Sequence, residues 1–217
     1  MELNQAYQIA LSVMDQLRPY CDRIEIAGSI RRKKPFVKDI EIVAIPKPYS
    51  TGLLTDGIAL VVEKWQIVKG DMQKHCKYTQ RILPEGIKLD LFFADIDNWG
   101  YIFAIRTGSA DYSHKVLATG WVKAGYKGKD GYLTNAGHIV PVREEEDLFK
   151  RIGIEYVPPE KRNLEIIKDN VGKRFCQNCE QQTNQEAIFI NPDDTKEGMV
   201  WKCLNCLENA GWVNKKQ

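Results

Sequence analysis

Apolar residues recur every three or four positions from the start of the chain. Leu3, Ala6, Tyr7, Ala10, Leu11, Met14 and Leu17 fall on one side of a 3.6-residue spiral, so the spacing predicts an amphipathic helix over 3–19, with Pro19 near its end. The period then drops to two. Ile24 and Ile26 share one face of a short strand over 23–27, which Gly28-Ser29 interrupts. A second strand over 38–45 sets Ile40 and Ile42 on one face and Asp39 and Glu41 on the other, and Pro46 and Pro48 stop it. The pattern over 52–63 is mixed and suggests a helix. Segments 74–83 and 87–94 predict a hairpin joined at Pro84-Glu85-Gly86. Its second strand puts Ile87, Leu89, Leu91 and Phe93 on the core face and Lys88, Asp90 and Phe92 on the opposite one. Helices follow over 99–106 and 110–124, on either side of the turn Thr107-Gly108-Ser109. The region 125–142, rich in Gly, Lys and Tyr, reads as a small hairpin. Acids in the first turn mark a short helix over 144–152, which Gly153 ends. From about 164 onward no long helix is predicted, and 187–190 with 199–202 read as a last hairpin.

Composition narrows the class. The 217 residues suffice for one or two domains with a sizeable core. The net charge is only +2, so a nucleic-acid partner would have to meet a local basic surface. No run of about 18 apolar residues predicts a membrane span, and the first residues lack the charged start and apolar core of a signal peptide. Both features point to an intracellular, cytoplasmic protein. Six cysteines include two Cys-x-x-Cys pairs, which suit a metal better than a disulfide framework. Cys21 and Cys76 stand alone and read as ordinary small buried residues.

Charged side chains inside a strand pattern need partners, because burying them alone is expensive. Asp39 and Glu41 share one strand face, and Asp90 shares the corresponding face of the hairpin strand. If the strands are neighbours, three carboxylates converge and repel one another. A hard cation relieves that repulsion, and oxygen-only ligands suit magnesium, which completes its shell with water and substrate phosphates. The plain alternative is a set of solvent-facing acids paired with lysines. Gly28-Ser29 shifts the balance, since a turn with free N–H groups and a hydroxyl can cradle phosphate. Arg31 and Arg32 add fork-shaped charge beside it. Together these residues point to metal ions carrying a nucleoside triphosphate.

Gly28-Ser29-x-Arg31-Arg32, Asp39-x-Glu41 and Asp90, in that order, resemble the nucleotidyltransferase pattern of the family X DNA polymerases, relatives of DNA polymerase beta. Thr107-Gly108-Ser109 resembles the turn on which that family's incoming nucleotide rests. Glu145 to Phe149, followed by Ile152-Gly153-Ile154-x-Tyr156-Val157-Pro158-Pro159, is similar to the end of the family's thumb. The resemblance spans about 1–163. It implies an α+β fold: a nucleotidyltransferase palm over 1–106, a mixed sheet flanked by helices, then a small thumb over 107–165. It implies that Asp39, Glu41 and Asp90 hold two Mg2+ ions (Mn2+ in their place is possible), with Asp90 beside the primer 3′-hydroxyl. Gly28, Ser29, Arg32, Thr107, Gly108 and Ser109 would bind the nucleotide. Arg31 is open between phosphate contact and scaffold salt bridge. The implied partners are a dNTP and a primer-template or gapped DNA duplex, met by a monomer associated with nucleoid or viral DNA. The implied reaction is template-directed DNA synthesis, gap filling in DNA repair its favoured setting.

Some residues depart from the pattern. Glu41 stands where aspartate is usual, and Lys88 where arginine is. Ile105-Arg106 replaces an aromatic pair before the turn, which opens the question of sugar discrimination. Ser113 has less reach than the asparagine common there. By the resemblance, the chain is expected to carry neither a lyase nor a fingers domain. A template-independent or ribonucleotide-adding transferase is therefore one alternative, and an inactive nucleic-acid-binding adaptor another.

Cys176-x-x-Cys179 and Cys203-x-x-Cys206, 23 residues apart, can place four thiolates on one tetrahedral Zn2+. This predicts a zinc ribbon over 166–217. Acids and bases balance from Glu160 onward, nine of each, so the ribbon is no electrostatic clamp, though Lys173, Arg174, Lys202, Lys215 and Lys216 can still make one basic face. Trp201 and Trp212 can pack its core or stack on bases. The expectation is that this segment stands in for missing DNA-binding domains.

Overall fold

The computed structural model describes residues 1–47, 57–72 and 76–163, with the backbone alone of strands at 165–176, 181–189 and 199–203. Helix α1 (Leu3–Leu17) buries Ala6, Ala10, Val13, Met14 and Leu17, the stripe its spacing predicts. Pro19 sits in the one-turn 3-10 helix that follows it. Then come β1 (Cys21–Ile26), a single helical turn α2 (Gly28–Arg31), β2 (Asp39–Pro46), the short helix α3 (Ile58–Val62), β3 (Gln66–Lys69), β4 (Tyr78–Ile82) and β5 (Lys88–Phe93). The five strands form one mixed sheet in the order β1-β2-β5-β4-β3. β2 and β5 run parallel, and the other neighbours antiparallel. Of the helix suggested over 52–63 only α3 is seen, because 48–56 lie outside the described residues, as do 73–75 at the start of the predicted hairpin.

One sheet face, with Ile24, Ile40, Ile42, Leu89 and Leu91, packs beneath α1 and α3. The other face is divided. Val43 and Phe92 are covered by Trp99 and Phe103 of helix α4 (Trp99–Thr107). Phe92 does leave the sheet on the Asp90 side, as the alternation predicts, but it is buried there and not solvated. The rest of that face carries the charged residues.

Beyond α4 the predicted helix over 110–124 is built from α5 (Ala110–Tyr112), a π-helical stretch over Ser113–Ala118, and α6 (Thr119–Lys123). The expected hairpin is a three-stranded meander, β6 (Lys127–Lys129), β7 (Tyr132–Asn135) and β8 (His138–Ile139). Helix α7 (Glu145–Arg151) opens with a reciprocal capping box between Glu144 and Asp147. A second core gathers Tyr101, Tyr112, Leu117, Trp121, Leu148 and Phe149. Helix α4 faces both cores: Trp99 and Phe103 look to the sheet, Tyr101 and Ala104 to the second cluster.

The last described strands, β9 (Glu165–Cys176), β10 (Gln181–Phe189) and β11 (Met199–Cys203), make an antiparallel sheet in the order β11-β10-β9. The β10–β11 pairing, from Phe189↔Met199 to Gln185↔Cys203, is the predicted last hairpin. Cys176 and Cys203 end the strands on either side of β10, Cys176 against Gln181 and Cys203 against Gln185, four positions further along it. Cys179, Cys206 and Trp212 lie outside the described residues. The architecture is α+β, a mixed sheet flanked by helices. Among the described residues no helix is long and apolar enough to cross a membrane.

Candidate active site

The parallel register of β2 and β5 sets Glu41 beside Asp90 and Asp39 beside Lys88. Alternation turns all three acids to the face away from α1, so the structure sets them on one sheet face, as the alternation predicts. The neighbouring acids oppose the ionisation of Glu41 and Asp39. Burial first, then the charge of Asp39, pushes the Glu41 carboxyl up to about 7, against the pull of Arg32. Burial first, then Asp90, raises Asp39, while Lys38, Lys88 and Arg32 draw it back. Asp90 is held by two neutral donors: the Tyr78 hydroxyl at 2.6 Å and the Gln80 side-chain amide at 2.7 Å, both on Oδ1. The carboxylates share a face without closing on a common point, and no ready-made three-ligand metal cluster exists among the described residues. Their chemistry still fits a hard divalent cation: oxygen donors only, and partly buried.

The turn before β2 is built against Glu41. The Ala27 N–H donates to the Glu41 carbonyl at 2.8 Å. Gly28 follows with φ +61°, and a Cβ there would overlap the Glu41 carboxylate. Only glycine combines that dihedral with that approach. The next side chain, Ser29, has its hydroxyl oxygen buried with no hydrogen-bond partner among the described residues, so it offers a donor to a ligand oxygen. Arg31 belongs to the scaffold. It makes a two-pronged ion pair with Glu145 at 2.8 and 2.7 Å, donates to Thr107 Oγ1 at 2.6 Å, and lies over the Phe103 ring at 3.9 Å. Arg32 reaches the other way, with Nη1 on the Thr107 carbonyl at 2.6 Å and Nε on Asn163 Oδ1 at 2.9 Å. It thereby joins the Gly28-Ser29 turn to the Thr107-Gly108-Ser109 turn.

That second turn is fixed from both sides. Thr107 is fully buried at the end of α4. The Ser109 hydroxyl caps α5 by accepting from the Tyr112 N–H at 3.2 Å, and the Ser109 N–H donates to the Arg162 carbonyl at 3.0 Å. Gly108 is needed for packing: a Cβ would stand 2.7 Å from Ser113 Oγ and 2.8 Å from Tyr112 Cδ1. The Ser113 hydroxyl donates back to the Ile105 carbonyl at 2.7 Å.

Several neighbours carry no short-range signal in the sequence. Tyr78 and Gln80 reach Asp90 only because β4 pairs with β5. Arg106 lies over the Phe92 ring at 4.0 Å with its Nε buried and without a hydrogen-bond partner among the described residues. Burial lowers its affinity for its proton, while the negative charge of Glu41 counters this. Glu145, 4% exposed, takes a second guanidinium from the fully buried Arg162 at 2.5 Å and the Tyr156 hydroxyl at 3.3 Å. The thumb-ending pattern contains Glu145, but nothing local points to Arg31 as its partner 114 positions away.

Residues 104–163 match the family model described as the DNA polymerase beta thumb. No curated protein matches the chain. Among solved structures the fold is similar to that of Leishmania infantum polymerase beta in a ternary P/T complex, with a TM-score of 0.56 and 17% sequence identity over 75% of this chain and 76% of that one. The chain thus has a fold of the family X polymerase type.

Proposed function

We propose that this chain, built on the family X polymerase fold, is a nucleotidyltransferase that adds a nucleoside monophosphate from a dNTP to a primer 3′-hydroxyl, filling short gaps during DNA repair. One observation carries the reading: Asp39, Glu41 and Asp90 stand on one sheet face, and the turn packed against Glu41 carries a buried Ser29 hydroxyl with no partner among the described residues. Asp39, Glu41 and Asp90 would hold magnesium, or manganese in its place, which supplies Lewis acidity to the attacking and leaving oxygens.

The chain's own residues supply the rest. Asp90 stands beside the 3′-hydroxyl and helps remove its proton as the oxygen bonds to the α-phosphorus. The bond from that phosphorus to the bridging oxygen breaks, and pyrophosphate leaves with the electron pair. Ser29 donates to the triphosphate. Arg32 joins it by exchanging its bonds to Thr107 or Asn163 for phosphate oxygens. The Thr107-Gly108-Ser109 turn, tied to Arg32 and Arg162, supports the nucleotide. The four cysteines Cys176, Cys179, Cys203 and Cys206 would hold one Zn2+ in a ribbon that helps grip DNA, and the two Cys-x-x-Cys spacings support the metal site.

Labelled primer extension on a one-nucleotide gap tests the assignment. Wild type should insert the templated dNMP, and Asp90→Ala should insert none while still binding the duplex. Undiminished turnover by Asp90→Ala rejects it. The absence of an aromatic at Ile105-Arg106 favours ribonucleotide addition as a second reading. Parallel rNTP reactions, and reactions with mismatched templates, separate that reading and template-independent transfer from the first.

A further inference from the structure

The acid face still needs something to hold Asp90 in place beside two like charges. Gln80 stands directly opposite Asp90 in the antiparallel β4–β5 ladder, and Tyr78 stands opposite Phe92. Such pairs share a sheet face. The Tyr78 ring stacks on Phe92 with centroids 4.9 Å apart and planes 23° from parallel. This packing brings the Tyr78 hydroxyl 2.6 Å from Asp90 Oδ1. Gln80 Nε2 donates to the same oxygen at 2.7 Å. Among the described residues neither donor is duplicated on Oδ2.

We propose that Tyr78 and Gln80 are positioning residues for nucleotidyl transfer: by saturating Oδ1 of Asp90 they make Oδ2 the oxygen offered to a divalent cation and to the 3′-hydroxyl. The inference rests on the nucleotidyltransferase reading of the acid face. An unrestrained carboxylate rotates and presents either oxygen, and repulsion from Glu41 turns it aside. Two donors offset that repulsion. Both are uncharged, so they hold the carboxylate without placing a cation where a metal must bind. Because Phe92 already supplies the packing of the Tyr78 ring, the hydroxyl can be removed without removing the stack.

Tyr78→Phe, Gln80→Met and the double variant test this in the full chain. Three measurements are needed: kcat and KM on a gapped duplex, Mn2+ binding by electron paramagnetic resonance without nucleotide, and thermal melting. Loss of a group that orients a metal ligand lowers activity or metal affinity by about tenfold or more. Each single variant should therefore lose about that factor in kcat at unchanged KM for dNTP, bind Mn2+ several-fold more weakly, and melt with wild type. Wild-type kcat and Mn2+ affinity in the double variant overturn the proposal, as does a loss of kcat that follows a loss of melting temperature. Asp90→Asn separates the two layers of argument. If it still incorporates nucleotide, the acid-face reading fails and the positioning role with it. If it is inactive while the double variant behaves as wild type, only the positioning role fails.

Discussion

A methyl group on Gly28 would overlap the Glu41 carboxylate, and the backbone there holds φ +61°. The left-handed conformation alone costs a non-glycine residue about 1–2 kcal/mol. Gly28→Ala should therefore lower unfolding stability by at least that amount in urea melts. It should also displace Glu41, and a shift of about 1 Å in a reacting group can cost about a hundredfold in rate. The expected result is a kcat loss far larger than the stability loss explains. Wild-type kcat in a folded Gly28→Ala protein would show that Glu41 does not serve the reaction. At this scale the sequence was legible where chemistry is written in short spacings. Asp39-x-Glu41, Asp90 and Gly28-Ser29 are each read from alternation or from one breaker residue. Tyr78, Gln80, Arg106 and Asn163 were not, because each reaches the site only through strand pairing or a chain reversal that no local pattern encodes.

Helix α7 meets α2 through charge. Glu145 lies between Arg31 and Arg162 and is almost fully buried, so removing its charge would leave two guanidinium groups without a counter-ion. Breaking a buried pair from one side costs about 3–5 kcal/mol, and Glu145→Gln should lose stability on that scale at pH 7. Burial pushes the Glu145 carboxyl up, but hydrogen bonds from Arg31 and Arg162 outweigh it and hold the group below its usual range. A glutamate titrates at about 4.3 in the unfolded chain. The stabilisation is thus complete above that pH and is lost as pH falls through the lower folded value. Urea midpoints taken from pH 7 down to pH 3 should fall more steeply for wild type below about pH 4.3 than for Glu145→Gln. Parallel curves would remove the linkage. Elements with a buried stripe, α1 and β5 above all, were foreseen. The edge strand β3 was not, because all four of its residues are exposed and nothing alternates. Nor was the π-helical stretch at Ser113–Ala118, since its residues suit an ordinary helix equally well.

Over the whole molecule the net charge is only +2, so the affinity for DNA that the proposed function requires cannot come from overall attraction. It has to come from particular lysines and arginines set against phosphates. The three hydrophobic clusters of the described residues and the acid face lie within residues 1–163. A chain ended at Asn163, which keeps the Arg32 contact, should therefore unfold cooperatively near the wild-type midpoint and retain kcat at saturating duplex. What it should lose is grip. Without Lys173, Arg174, Lys202 and the proposed zinc ribbon, the dissociation constant for a gapped duplex should rise several-fold at about 0.1 M salt. The dependence of log affinity on log salt should become shallower by about one unit for each phosphate contact removed. Metal analysis of the full chain should find one zinc per molecule, and stripping it with a chelator should reproduce the truncated chain's weaker binding while leaving the main melting transition in place. Equal affinity and equal salt slope in the full, stripped and shortened proteins would assign DNA binding to the first 163 residues alone.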